Sequence, residues 1–254
     1  MEKILFKKLQ TAVVQAKCPL LFATLSGSHL YGFPSKDSDF DLRGAHILKR
    51  NEIIGLYDLN DTIDFMSLDL GIELDLVTHD VTKFFKLLLK RNGYVLEQLY
   101  SPLIVHTTPE HKELKHIVKN CITKHHFNHY LGFFRSQWKL LIKEKKPKIK
   151  PLLYCFRVLF TGIHLMKTGL VEANLINLNK ELNLSYINDL IEQKLNGDEK
   201  GYLDTNDFSF FEKEAKKYEN ILILEGELSK LPDKPNCKAQ LNDLLLRIRD
   251  KYGV

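Results

Sequence analysis

Gly27-Ser28-His29-Leu30-Tyr31-Gly32-Phe33-Pro34-Ser35-Lys36-Asp37-Ser38-Asp39-Phe40-Asp41-Leu42-Arg43-Gly44 decides how the rest of the chain is read, because it joins a Gly-Ser turn to an Asp-x-Asp pair. The apolar run Leu20-Leu21-Phe22-Ala23-Thr24-Leu25 before it reads as a strand. A Gly-Ser turn after such a strand offers backbone N–H groups and a hydroxyl to phosphate oxygens. Side chains two apart on a strand share a face, so Asp39 and Asp41 are expected to point together toward that turn. Two adjacent carboxylates repel each other, and a divalent cation such as Mg²⁺, which takes hard oxygen ligands and bridges to substrate phosphates, relieves the repulsion. A lone Gly-Ser is an ordinary turn, and a lone Asp-x-Asp is often a solvated strand face. Joined at this spacing, they read as nucleotidyl transfer.

A second acidic strand follows. In Ile72-Glu73-Leu74-Asp75-Leu76-Val77-Thr78-His79-Asp80 the apolar Ile72, Leu74 and Leu76 alternate with Glu73, Asp75 and Val77, the period-two pattern of a half-buried strand. Asp75 is therefore expected on the same cleft as Asp39 and Asp41.

With these residues in view, the chain resembles the DNA polymerase β-like nucleotidyltransferase superfamily, whose signature is Gly-Ser, a spacer and Asp-x-Asp. The form Gly-Ser-x-x-Tyr-Gly followed by Ser-Asp-x-Asp-x-Arg-Gly is similar to one branch, the RNA repair pathway polymerase β family. Resemblance covers about residues 20–100 and, loosely, the stretch around Leu153 to Gly169. The chain departs from the branch at Asn92-Gly93-Tyr94, where Asn-Pro-Asn is more usual, which puts a role for the second Asn in question. The resemblance implies Asp39, Asp41 and Asp75 as catalytic metal ligands, with two Mg²⁺ (or Mn²⁺) expected, and Gly27, Ser28 and Ser38 as phosphate or nucleotide contacts. The donor is an NTP, with ATP expected. One metal grips the triphosphate and the other lowers the pKa of the acceptor hydroxyl; Asp75 is also a candidate general base. Arg43 has two readings, a phosphate or acceptor contact and a salt bridge orienting Asp41 or Asp75. Tyr154 and Arg157 are candidate triphosphate or base contacts. The acceptor implied is an RNA end. The alternatives are a protein or small-molecule hydroxyl, and a nucleotide- or RNA-binding module that does not turn over. Toxin–antitoxin adenylyltransferases carry Arg where this chain has Tyr31, which disfavours the protein acceptor.

The remaining sequence bounds the architecture. Its 254 residues, 44% hydrophobic, allow one large or two modest domains. The fold class expected is α/β in the α+β sense: a small mixed-sheet nucleotidyltransferase core over residues 1–105, then an all-helical domain over 106–254. Within the core we read a helix over 2–16 and strands near 39–47, 61–69 and 71–78, with Thr78 or Asp80 capping a helix that runs to Arg91. From Pro109, at a first helical turn, apolar residues recur at three and four, and Gly169 is placed as a helix C-cap.

Charge is uneven. Residues 111–157 hold twelve Lys or Arg against Glu113 and Glu144, a surplus of ten where the whole chain is +5. The densest part, Lys143 to Pro151, reads as a proline-marked connector, either tracking a nucleic-acid backbone or simply solvated. His125 and His129 are spaced to share a helical face, a zinc-ligand geometry without a third ligand, and a polar face is preferred. The aromatics Phe127, Tyr130, Phe133, Phe134 and Trp138 have helical spacing and are read as core. Cys18, Cys121, Cys155 and Cys237 are scattered without Cys-x-x-Cys spacing, so reduced thiols and a cytoplasmic location are expected. No apolar run has transmembrane length and no membrane association is expected. Oligomeric state is not legible.

Overall fold

The computed structural model describes residues 3–14, 16–36, 38–67, 71–196, 202–203 and 208–252. The elements in chain order are α1 (Lys3–Val14), β1 (Leu20–Leu25), α2 (Gly27–Tyr31), β2 (Phe40–His46), α3 (Arg50–Ile53), β3 (Thr62–Ser67), β4 (Leu74–Asp80), α4 (Val81–Leu89), α5 (Gly93–Tyr100), β5 (Ile104–Thr107) and α6 (Pro109–Val118). There follow α7 (Phe127–Leu141), α8 (Ile149–Thr168), α9 (Leu175–Leu182), α10 (Ser185–Asn196), α11 (Phe208–Leu228) and α12 (Lys238–Tyr252). The class is α+β, with a mixed sheet early in the chain and helices after it.

The chain divides into two compact units, one of residues 1–27, 39–121 and 234–254, the other of 28–38 and 122–233. This differs from the expected boundary after residue 105, for two physical reasons. First, α6 stays with the sheet: His111, fully buried, stacks on Phe22 of β1 with ring centroids 4.3 Å apart. Second, α12 returns to the sheet unit from the far end of the chain. Lys251 Nζ donates to Glu110 at 2.8 Å, Arg247 pairs with Glu113, and Arg249 Nη2 donates to Asp80 Oδ2 at 2.7 Å.

The sheet has the order β3-β4-β2-β1-β5, with β2 and β4 parallel and the other neighbours antiparallel. A parallel pair needs a crossover, which α3 and β3 supply. β1 is buried along its whole length, as an unbroken apolar run requires, and β4 alternates with Leu74 and Leu76 inside and Asp75 and Val77 half-exposed. Leu9, Leu25, Leu42, Leu74 and Leu76 form one core cluster. Burying each such side chain contributes about 1.5–3 kcal/mol. The strand expected over 71–78 begins only at Leu74, and residues 68–69 of the expected 61–69 strand lie outside the described residues.

Asp80 is the N-cap of α4, its Oδ1 accepting from Thr82 N at 2.9 Å. Thr108 caps α6, with Pro109 in its first turn. In the helical unit, α8 is the central element: it carries fourteen buried residues and is held by α7 and α11. It is also the one helix among the described residues long and apolar enough to cross a membrane, and 78% of its most apolar window is buried inside the protein. Gly169 closes it with φ 72°. Pro151, expected in the connector, instead lies in the first turn of α8, leaving 142–148 between the helices.

The expectation of reduced thiols is corrected at one pair. Cys121 and Cys237 form a disulfide, with Cα atoms 5.5 Å apart, while Cys18 and Cys155 are free. The bond unites the points where the chain leaves the sheet unit and returns to it, and Asn236 N donates to the Asn120 carbonyl beside it at 2.9 Å. A separation of 116 residues gives no spacing signal to read.

Candidate active site

The parallel register of β2 and β4 sets Asp41 directly opposite Asp75. Both strands turn their alternate residues away from the core, so these carboxylates and Arg43, two residues beyond Asp41, lie on the same open face. Arg43 Nη2 donates to Asp41 Oδ1 at 2.6 Å and to Asp75 Oδ2 at 2.7 Å. Its Nη1 donates to the carbonyls of Leu42 at 2.9 Å and Asp75 at 2.8 Å, and its Nε to Tyr94 Oη at 3.2 Å. Burial opposes the guanidinium's charge, but Tyr94, Asp41 and Asp75 outweigh it and raise the Arg43 pKa above its ordinary value. The two carboxylates keep 19% and 24% of their side-chain surface exposed. One positive charge thus faces two negative ones that still reach solvent. The salt bridge of the second reading is formed, to both carboxylates.

Gly27 stands beside this pair with φ 57°, and a Cβ there would lie 1.8 Å from Asp41 Oδ2. Only glycine accepts both the backbone conformation and that approach. Ser26 N donates to the Asp41 carbonyl at 2.8 Å, which ties the end of β1 to β2. The hydroxyls of Ser26 and Ser28 are buried and make no hydrogen bond among the described residues. Gly44 is structural: its Cβ would meet the Phe22 carbonyl at 2.1 Å, so the Arg-Gly end of the motif reflects close strand pairing.

Asp39 immediately precedes β2, half-buried, and takes no part in the Arg43 bridge. Among the described residues, no three His, Cys, Asp or Glu side chains gather as a ready metal cage. The donor chemistry nevertheless fits a hard divalent cation, because Asp41 and Asp75 offer carboxylate oxygens, partly exposed, on one sheet face.

Tyr94 is the functional candidate that sequence reasoning missed. Asn92 caps α5, its Oδ1 accepting from Tyr94 N at 2.9 Å and Val95 N at 3.3 Å, and this sets Tyr94 at the first turn with its hydroxyl toward Arg43. The departure from Asn-Pro-Asn was the signal that could have found it.

Ser38, Tyr154 and Arg157 belong to the helical unit, whereas the three aspartates belong to the sheet unit. Ser38 Oγ accepts from Ser35 N at 2.9 Å. Arg157, 3% exposed, stacks its guanidinium 3.9 Å over the Tyr31 ring, and Tyr154 stands edge-on to Tyr31 and Phe33 at 5.3 and 5.7 Å. These residues hold the motif's Tyr-Gly-Phe segment. His125 and His129 do not share one helix: His125 lies in a 3₁₀ turn before α7 and pairs with Asp233 at 3.1 Å. Burial, and then Arg157, push the His129 pKa down.

A family model described as the RNA repair pathway DNA polymerase beta family matches residues 1–247. The chain is 36% identical over 151 residues to the uncharacterized protein MJ0002 of Methanocaldococcus jannaschii, covering 59% of this chain and 61% of that protein. It is 26% identical over 240 residues to the uncharacterized protein YcgL of Bacillus subtilis, covering 89% and 88%.

Proposed function

Because the chain belongs to the RNA repair pathway DNA polymerase β family, we propose that it moves NMP from an NTP to a hydroxyl at an RNA end and releases pyrophosphate. The observation that carries this reading is the register pairing of Asp41 with Asp75 beside the Gly27 turn. In the reaction the acceptor oxygen attacks the α-phosphorus, the new O–P bond forms, and the bond to the β-phosphate oxygen breaks. Pyrophosphate leaves with that electron pair, and the hydroxyl proton passes to the Asp75 carboxylate. Asp41 and Asp75, with Asp39, would hold Mg²⁺ or Mn²⁺. Such an ion, when bound, neutralises phosphoryl charge and acidifies the acceptor hydroxyl.

The chain's own residues supply the rest. The Gly27 turn would present its backbone N–H groups to the triphosphate, and the Ser28 hydroxyl, buried without a hydrogen bond among the described residues, is the donor proposed beside it. Tyr154 and Arg157 fix Tyr31, three residues after Ser28, and so steady the segment that follows the turn. Arg43 keeps the two carboxylates apart at a fixed spacing. The basic stretch of residues 111–157, with Lys143, Lys145 and Lys146 exposed, supports an RNA acceptor through phosphate neutralisation.

The test is to incubate the protein with each α-labelled NTP, ATP first, with Mg²⁺ or Mn²⁺ and RNA, beside Asp41→Asn and Asp75→Asn. Label is expected in RNA with the unmutated protein alone. Label on a protein or small-molecule hydroxyl, or equal label with the variants, overturns the RNA-end assignment.

A further inference from the structure

Helix α10 buries one stripe, Ile187, Leu190, Ile191 and Lys194, at the i, i+3, i+4 and i+7 spacing of a core-facing helix. The first three are apolar; the fourth is a lysine only 2% exposed. Lysine is rarely buried so far unless a partner answers its charge. Here Nζ donates to Ser35 Oγ at 3.0 Å, within the spacer that separates the Gly-Ser turn from the Asp-x-Asp pair. Ser35 is clasped in turn to Ser38. Ser38 N donates to the Ser35 carbonyl at 3.1 Å, Ser35 N donates to Ser38 Oγ at 2.9 Å, and the two hydroxyls lie 3.0 Å apart. A lysine head has donors only, so the Ser35 hydroxyl accepts from Nζ and keeps its own hydrogen for Ser38 Oγ. Ser38 is the last residue of this segment in the helical unit, and Asp39 is the first in the sheet unit.

The side chains of Asp41 and Asp75 are held by Arg43. Asp39 stands outside that bridge, so its placement falls to the backbone on either side of it. On the β2 side, Phe40 N donates to the Glu73 carbonyl at 2.8 Å. On the other side stands the Ser35–Ser38 clasp. Resting on the nucleotidyl-transfer reading, we infer that Lys194 is a positioning residue for Asp39: it locks the clasp and so fixes the backbone from which Asp39 reaches a divalent ion. An apolar side chain would complete the α10 stripe without the cost of burying a charge. It would leave the Ser35 hydroxyl without its donor.

The test uses Lys194→Met, which keeps the bulk of the side chain and removes the donor, together with Ser35→Ala and the double variant. Two quantities are read: hydrogen exchange at the Ser35 and Ser38 amides in metal-free protein, and the Kd of Mn²⁺ in the presence of a non-hydrolysable α,β-methylene NTP, from the electron paramagnetic resonance signal of the free ion. Lys194→Met should speed the exchange about tenfold, the worth of one hydrogen bond to a charged group. It should weaken the Mn²⁺ Kd about 10–100-fold, the usual cost of losing a partner one shell out. Its urea midpoint should hold or rise, because an apolar chain of similar volume replaces a buried charge. Since Lys194 acts through Ser35, the double variant should bind Mn²⁺ no more weakly than the weaker single variant. Unchanged exchange or unchanged Mn²⁺ affinity in Lys194→Met overturns the inference and leaves nucleotidyl transfer standing. Losses that add in the double variant overturn it as well. Should Lys194→Met fail to fold, Ser35→Ala carries the same two measurements with the same outcomes. No Mn²⁺ on the unmutated protein, or equal Mn²⁺ affinity in Asp39→Asn, overturns the reading on which the inference rests.

Discussion

β2 and β4 run side by side from Asp41 opposite Asp75 to His46 opposite Asp80, and the two ends of this one ladder hold charge in different ways. At the far end Arg249 meets a single carboxylate. Asp80 is 1% exposed; it accepts from Arg249 and Thr82 N, while Arg249 also reaches the Leu48 carbonyl at 3.0 Å and Thr82 Oγ1 at 2.9 Å. His46 is fully buried there, its Nδ1 2.9 Å from Thr78 Oγ1. At the near end Arg43 is shared by two carboxylates that stay partly in water. The far end is neutral and its carboxylate is buried, and it fastens α12 to the sheet. The near end sets two partly exposed carboxylates on one guanidinium, an acidic surface of the kind a cationic or metal-bound ligand needs. Similar residue types at the two ends of one ladder do different work because the charge ratio and the exposure of the carboxylates differ.

The largest expected effect breaks the far end. Asp80→Ala leaves the part-buried Arg249 without its carboxylate and uncaps α4, so urea unfolding should report a loss of about 3 kcal/mol, the low end for a broken buried pair. Asp41→Asn at the near end should lower nucleotidyl transfer about 10²–10³-fold while moving stability by no more than about 1 kcal/mol. Equal destabilisation by the two variants would sink the distinction between a fastening end and a working end.

Acid should find the buried histidines of the sheet unit. His111, driven down to about 4 by burial, has an ordinary value of 6.5, and His46 is lowered by burial as well. In the window between the folded and unfolded values the unfolded chain binds more protons, so stability is complete above about pH 6.5 and declines as pH falls toward 4. At about 1.4 kcal/mol per unit, His111 alone accounts for roughly 3 kcal/mol. His111→Gln should flatten that slope in unfolding measured across this pH range; an unchanged slope would clear His111 of the effect. The smallest effect is Asn92→Ala, which removes the α5 cap and should cost about 1 kcal/mol in thermal unfolding.

Much of the scaffold was readable from local pattern. β1, β2 and β4 follow from an apolar run and period-two alternation, and the Asp80 cap, Pro109 and Gly169 follow from backbone chemistry. β5, four residues long, carries too little pattern to read. Gly27, Asp39 and Asp41 stood out by their spacing, and Asp75 by strand alternation, which the parallel register then set opposite Asp41. Tyr94 was marked only by the departure from Asn-Pro-Asn, and its partner Arg43, 51 residues away, was not readable from it. The Cys121–Cys237 bond was hidden for the same reason.

By itself, then, the sequence determined the strands that carry the motif, which of their faces is wet, and which family's motif the chain carries. These depend on neighbours within a few positions, where covalent geometry fixes what meets what. Only the tertiary structure decided that Arg43 answers both carboxylates, that residues 28–38 join the helical unit, and that α12 returns to the sheet. Those are matters of register and chain return, settled by packing between segments that the sequence alone does not order in space.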